Sequence, residues 1–348
     1  MMKALYPFLF EPNLHPVVWG GHRLRPYKGL EASDEPIGES WEVSAVASST
    51  SVISNGECAG QLLTDVIRQS PARILGAKVA RRYGGQLPLL AKFIDAERDL
   101  SIQVHPNDEM ARREHGKLGK SEMWYIIDAK PGSFLYAGFK QSVTPEEYKR
   151  RVADGTIVDV LAKHTVKAGD VFYLPAGRVH AICGGILLAE VQQSSDVTYR
   201  IFDYNRPGMD GKPRELHTEL AAQALDFQVK DEYRTQYSSQ TGRANRVIDS
   251  PFFSVRVTEM TGSFHRNLLK YDSFIISMCI AGDCLLRMRG TGEEVLLKAG
   301  YSTLIPASVA DYDVVPLMGK TRILDAYIDN MDRSFGSQIT RFLHITSK

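Results

Sequence analysis

The sequence predicts a mainly β protein made of two small barrels in tandem, with a few helices inserted in the N-terminal half. Three observations carry this expectation. Strand-like segments dominate, short, rich in β-branched or aromatic residues and bounded by Gly, Pro or Asp. A polar stretch poor in large aliphatics, "VKDEYRTQYSSQTGRANR" (229–246), reads as a linker, after which the strand pattern resumes to the end. Across that linker, "AGDVFYLPAGRVH" (168–180) aligns with "AGYSTLIPASVAD" (299–311), so that Gly169 falls on Gly300, Pro175 on Pro306 and His180 on Asp311. A catalytic unit over 1–230 and a degenerate copy over 246–348, its histidine replaced by Asp311, are therefore expected.

Taken in order, Ser40–Ser44 reads as a strand, and Leu62–Leu75 as a helix from its apolar spacing. Leu90–Val104 and Met123–Asp128 read as strands. Thr144-Pro145-Glu146-Glu147 supplies an N-cap, a Pro at the first helical position and a capping-box Glu before "YKRRVADG". Strands follow at Asp170–Leu174 and Gly185–Gln192, then a helix at "RELHTELAAQALDF" (214–227). In the second half the expected strands are Phe252–Glu259, Ser273–Ile280, Glu294–Leu297 and Thr321–Tyr327.

Composition narrows the functional classes. With 43% hydrophobic and 24% charged residues, the 348-residue chain is long enough for a sizeable core. A net charge of +1 from 42 basic and 41 acidic residues gives no field for nucleic acid or an anionic membrane, so any bound anion must be held locally. Cys58, Cys183, Cys279 and Cys284 lack CxxC spacing, which argues against a disulfide scaffold or zinc ribbon and fits a reducing cytoplasm. The opening "MMKALYPFLFEPN" reads as no signal segment, and no run of about 18 apolar residues suggests a membrane span. A cytoplasmic monomer is the default expectation, with dimerisation left open by the edge strands of two barrels.

Five polar residues between Leu100 and Arg200 carry the chemistry. Gln103 and His105, one residue apart on a strand, leave the same face and can share one ion. Glu122 opens the apolar "MWYII", where a carboxylate is expensive unless it is paired or coordinated. His180 ends "GDVFYLPAGRVH" between two turns that fix it. Two His with one Glu suit catalytic Zn²⁺ and equally the facial triad of non-haem Fe²⁺, and Gln103 adds a neutral donor. Singly, His105 reads as well as a turn residue and His180 as a core residue. His15, His22, His115, His164, His217, His265 and His344 lack such company and read as structural or surface residues.

"GD-x4-P-x-G-x2-H" resembles the second characteristic motif of the cupin superfamily. "VVWGGHRL", "FIDAERDLSIQVHPND", "GKSE", "PAGRVHAI" and "EVQQSSDVTYRIFDYNR" further resemble the signatures of type I mannose-6-phosphate isomerases in their short bacterial form. The resemblance implies a tandem cupin of two jelly-roll β-barrels, one Zn²⁺ per chain, and interconversion of mannose 6-phosphate and fructose 6-phosphate. It places the zinc ligands on Gln103, His105, Glu122 and His180, and the essential arginine on Arg200. Glu190 matches a carboxylate proposed for proton transfer, and Lys120 and Ser101 match pocket residues near the sugar.

The chemistry is consistent with those groups. Aldose–ketose isomerisation passes through a cis-enediol and needs a fixed cation for the charge on oxygen, a role assigned to Arg200; a salt bridge with Asp196 or Asp203 is its structural alternative. Glu190 could remove the C2 proton if burial raises its pKa, although a zinc-bound hydroxide or a histidine would also serve. For the phosphate, Lys120 and Arg206 are the candidate partners, each otherwise a plain surface charge. Two competing readings remain: a cupin-type non-haem iron oxygenase, and a non-catalytic sugar-phosphate-binding cupin.

Overall fold

The computed structural model describes residues 5–329; residues 330–348, with His344 and the end of the second expected unit, lie outside them. Up to the linker the strands are β1 (Phe8–Leu9), β2 (Leu14–Gly21), β3 (Ile37–Val43), β4 (Leu89–Ala96), β5 (Ile102–Val104), β6 (Glu122–Ala129), β7 (Phe134–Phe139), β8 (Leu161–Thr165), β9 (Val171–Leu174), β10 (His180–Ile182), β11 (Ile186–Gln193) and β12 (Tyr199–Phe202). Beyond it come β13 (Ala244–Asp249), β14 (Ser254–Met260), β15 (Phe264–Asn267), β16 (Ile275–Ala281), β17 (Cys284–Met288), β18 (Glu294–Leu297), β19 (Ser302–Ile305), β20 (Asp311–Pro316) and β21 (Thr321–Tyr327).

These strands form four antiparallel sheets, ordered β12-β5-β10-β7-β8, β2-β3-β4-β11-β6-β9, β1-β19-β16-β21-β14-β13 and β15-β20-β17-β18. Their buried side chains stack the sheets in that sequence. Ile94, Trp124, Ile126, Leu135, Ala137 and Ile182 fill the space between the first and second. Phe93, Tyr125, Ala189 and Val191 meet Val255, Ile276, Met278 and Leu324 between the second and third. Leu286, Ile305, Tyr312 and Tyr327 lie between the third and fourth. The two middle sheets are thus covered on both faces, which is why β4 and β11 are buried at every residue rather than alternating.

The chain's first strand does not stay with the first half, since β1 pairs with β19. The expected strand Leu90–Val104 is two strands in different sheets. At Glu97–Leu100 the chain turns over, with the amides of Glu97 and Arg98 donating to the Trp19 carbonyl and that of Leu100 to the Ile182 carbonyl. Alternating polarity continues through such a crossing, so periodicity alone hides it. The Leu62–Leu75 helix is broken into Leu63–Gln69 and Pro71–Leu75, because Pro71 cannot donate into the preceding turn. At Pro145–Ala153 the Thr144 hydroxyl accepts from the Glu147 amide as expected, whereas the Glu147 carboxylate turns to Arg151 rather than back to the cap. The helix expected over 214–227 is confined to Thr218–Ala224.

Three helices among the described residues lie outside the expected ones: the short Leu24–Tyr27 and Ala77–Arg82, and the longer Asp108–His115. The signals of Asp108–His115 are all present: Asn107 accepts from the Met110 amide at 2.9 Å, acids occupy the first turn, bases the last, and Gly116 closes it in the left-handed conformation. The linker carries little regular structure before β13 but is tied to the first half. The Tyr233 hydroxyl donates to the Phe139 carbonyl and the Tyr237 hydroxyl to the Gly169 carbonyl.

The repeat is structural. Gly169 and Gly300 both take positive φ, each before a short strand, β9 or β19, whose following Pro-Ala turn carries the chain to the facing sheet. Correspondence fails at the end. Tyr312 and Val314 point into the core between the last two sheets, so alternation turns Asp311 outward, where it binds His265 at 2.7 Å. Asp311 therefore does not stand in for His180.

A buried ion pair fastens the two halves. Lys28 Nζ lies 2.7 Å from Glu42 on β3, donates to the Gly300 carbonyl at 2.5 Å, and packs over the Tyr301 ring. Removing one partner strands a buried charge. Lys28→Ala should lower the free energy of unfolding by about 3–5 kcal/mol in a denaturant titration. The double variant Lys28→Met/Glu42→Leu should recover most of that loss.

Candidate metal centre

Glu122, the first residue of β6, has no exposed surface and faces the first sheet, where β5 and β10 lie side by side with His180 paired to Gln103. His105 follows β5 directly. His105 Nε2 lies 3.3 Å from Glu122 Oε2 and His180 Nε2 lies 3.2 Å from Glu122 Oε1, while the Gln103 carboxamide is 3.3 Å from His180 Nε2. One donor atom from each of His105, Glu122 and His180 lies within 4.8 Å of the others.

Both imidazoles are oriented from behind. Nδ1 of His105 is 3.0 Å from the Val197 carbonyl and Nδ1 of His180 is 2.8 Å from that of Arg178. Carbonyls accept only, so each ring carries its proton on Nδ1 and turns an Nε2 lone pair toward Glu122. Burial holds both rings below the ordinary histidine range, His105 at about 3, with the Lys120 charge adding to the effect. Two lone pairs and a carboxylate thus converge on one point. His105 Nε2 and both Glu122 oxygens are buried without a hydrogen-bond partner, which is costly unless a cation completes them. This donor set fits a divalent metal such as Zn²⁺.

Lys120 does not reach outward. Its ammonium lies 3.1 Å from Glu122 Oε2 and the residue is buried. Burial would raise the Glu122 carboxyl, but Lys120 and the two histidines outweigh it and hold the group well below its usual range. Ser121 is buried beside it and accepts from the Ala176 amide, pinning the turn that leads to His180. Ser101 is buried just before β5.

Glu190, on β11, faces Trp124 on one neighbouring strand and Lys92 on the other. Trp124 Nε1 donates to its carboxylate at 2.9 Å, and Lys92 Nζ lies 3.6 Å away. Burial and the nearby Glu122 charge raise the Glu190 pKa against the opposing pull of Lys92 and Lys120. Lys92 also approaches Glu39 at 3.4 Å and stands over the Trp41 ring. Sequence reasoning missed Lys92, although a lone lysine in the apolar run "LLAKFI" is the kind of residue that burial makes conspicuous.

Arg200 sits on β12 paired with Gln103, so both side chains leave the same face of the sheet. Neither of the alternative salt bridges is present: Asp196 takes Lys117 at 2.6 Å, and Asp203 takes Arg206 and Arg214. The guanidinium donates through NH1 to the Glu215 carbonyl, and its Nε is buried without a partner. Arg206 and Arg214 share one carboxylate between them, an excess of positive charge; Arg214 was not singled out in the sequence.

The second unit holds no such set among the described residues. Glu122 pairs with Leu174 just before Pro175, and Ile275 pairs with Ile305 just before Pro306, so an isoleucine occupies the carboxylate's place. Arg266 and Asp325 form a buried ion pair between those sheets at 2.8 Å. No helix among the described residues is long and apolar enough to cross a membrane.

Comparison with known proteins gives a consistent picture. The family model for the catalytic domain of type I phosphomannose isomerase matches residues 8–131, and that for the mannose-6-phosphate isomerase cupin domain matches residues 244–327. GmuF of Bacillus subtilis, named as a probable mannose-6-phosphate isomerase, is 35% identical over 312 residues, covering 89% of this chain and 96% of its own. The mannose-6-phosphate isomerase of Streptococcus mutans is 33% identical over 307 residues, covering 88% of this chain and 94% of its own. The crystal structure of the mannose 6-phosphate isomerase from Bacillus subtilis superposes with a TM-score of 0.83 at 31% identity, over 92% of this chain and 99% of that one. With both halves matched, the fold shared and the relatives spanned almost end to end, this chain belongs to the type I mannose-6-phosphate isomerase family, with the mainly β, tandem-cupin architecture that its sequence predicts.

Proposed function

We propose that this chain interconverts mannose 6-phosphate and fructose 6-phosphate through a cis-enediol, with one zinc ion held by Gln103, His105, Glu122 and His180. The observation that carries this reading is the buried Glu122 carboxylate facing two oriented imidazole lone pairs, in a chain of this family. Zinc, when bound there, supplies a Lewis acid for the oxygens on C1 and C2.

The protein's own groups divide the remaining work. Glu190, buried and with a raised pKa, takes the proton from C2 and returns it to C1, so that the sugar leaves with the same number of hydrogens it brought. Arg200 faces the site beside Gln103 with an unpartnered Nε and stabilises the negative charge that develops on oxygen as the proton departs. Lys120 balances Glu122 at the reacting end. Phosphate binding falls to the arginines beyond, where Arg206 and Arg214 carry more charge than Asp203 cancels, and Ser101 lines the sugar's path.

A coupled assay of mannose 6-phosphate conversion, with metal content measured on the same samples, tests this. His180→Ala should lose the zinc and lower turnover by at least about 100-fold, the scale on which metal sites respond even to loss of an outer partner. Asp311→Ala should retain both. Full zinc content in the His180 variant would remove it from the ligand set. Arg200→Ala should keep its zinc and lose about 10²–10³-fold in kcat, as expected for a donor to developing charge; loss of zinc in this variant would contradict that role.

A further inference from the structure

We propose that His217 is the positioning residue for Arg200, clamping the arginine's backbone so that its guanidinium is presented beside Gln103. This rests on the reading of Arg200 as the cation that stabilises charge in the isomerisation.

β12 lies at the edge of its sheet and pairs only with β5. Backbone groups on an outer edge have no strand to bind, and an arginine there is held only as firmly as that edge. At Arg200 the missing strand is replaced. The Arg200 amide donates to His217 Nδ1 at 3.1 Å, and the His217 amide donates to the Arg200 carbonyl at 2.7 Å. Two residues earlier, the Glu215 carbonyl accepts from Arg200 NH1 at 2.9 Å. The segment Glu215–His217 thus holds the backbone and one arm of the guanidinium together.

With both of its main-chain polar groups turned to His217, Arg200 makes no ladder bonds to Gln103 opposite. Such non-hydrogen-bonded pairs bring side chains closer than the alternate pairs do. The clamp therefore also selects the register in which Arg200 stands beside a metal-facing residue.

His217 is the N-cap of the helix Thr218–Ala224, yet its side chain makes no capping bond. Ser, Thr, Asp or Asn would serve that helix better. The imidazole is spent on Arg200 instead. Burial, with the Arg200 and His115 charges adding and Glu215 opposing, lowers its pKa, which keeps the ring neutral and its Nδ1 lone pair free to accept. The Tyr199 ring packs against it.

The test is steady-state kinetics on the full-length holoenzyme, with zinc content and melting temperature recorded for His217→Ala, His217→Asn, Arg200→Ala and the double variant His217→Ala/Arg200→Ala. Asn places an acceptor near the position of Nδ1. We expect His217→Ala to keep its zinc and lose at least about 10-fold in kcat with little change in KM, the scale of one buried donor left unpaired. His217→Asn should restore most of that, and His217→Ala should cost nothing further when Arg200 is already alanine. Wild-type kcat in His217→Ala alongside a crippled Arg200→Ala would overturn the positioning role and leave the reading of Arg200 standing. An equal loss in the Arg200→Ala background, or no recovery in a folded His217→Asn, would also overturn it. Wild-type turnover in Arg200→Ala would bring down the reading of Arg200 and the clamp with it.

Discussion

A carboxylate with no exposed surface, placed at the first residue of a strand and surrounded by two imidazoles and one ammonium, is the constraint around which this protein is arranged. Glu122 cannot be solvated, and its two oxygens have no hydrogen-bond partner. Lys120 offsets its charge without saturating its lone pairs. The histidines cannot donate to it through Nε2, because each has committed its ring proton to a carbonyl on the other side. The site is assembled in advance for a cation, and the cost of holding it so is met by the packing of the sheets on either side.

Those sheets explain the size of the chain. The second sheet carries Glu122, Glu190 and Lys92 on one face and an apolar wall on the other, and that wall needs a cover. The second unit provides it, sheet against sheet, with the Lys28–Glu42 pair and β1 crossing between the halves. With no metal set among its described residues, the second unit holds the buried pair Arg266–Asp325 in its interior. The first unit carries the candidate metal centre, and the second covers the apolar face behind it.

Much of this was legible in the residues, for physical reasons. Strand composition and the Gly-to-Pro spacing exposed the tandem architecture, since both repeats need a left-handed glycine before the strand and a proline after it. The potential metal donors were legible because a carboxylate opening an apolar strand has few explanations. The register of β12 was not legible: it depends on which backbone groups an edge strand leaves free, and His217 looked like any isolated histidine. Spacing put Lys120 on the face of Glu122 and made it a candidate phosphate partner, but gives only the face of a strand and not the partner waiting there, which is Glu122 itself. Alignment matched Asp311 to His180 because it preserves order along the chain, but it does not show which face of the strand a residue takes. The helix Asp108–His115 has its caps written in the sequence, with Asn107 before it, acids in its first turn, bases in its last and Gly116 after it.

The central claim is that Glu122 and its neighbours hold a catalytic metal. It is tested most directly by following the conversion of mannose 6-phosphate to fructose 6-phosphate on the protein as purified, after removal of metal by a chelator, and after zinc is restored. Turnover that disappears on chelation and returns with about one zinc per chain is the predicted result. Undiminished turnover in protein shown to be free of metal would contradict it.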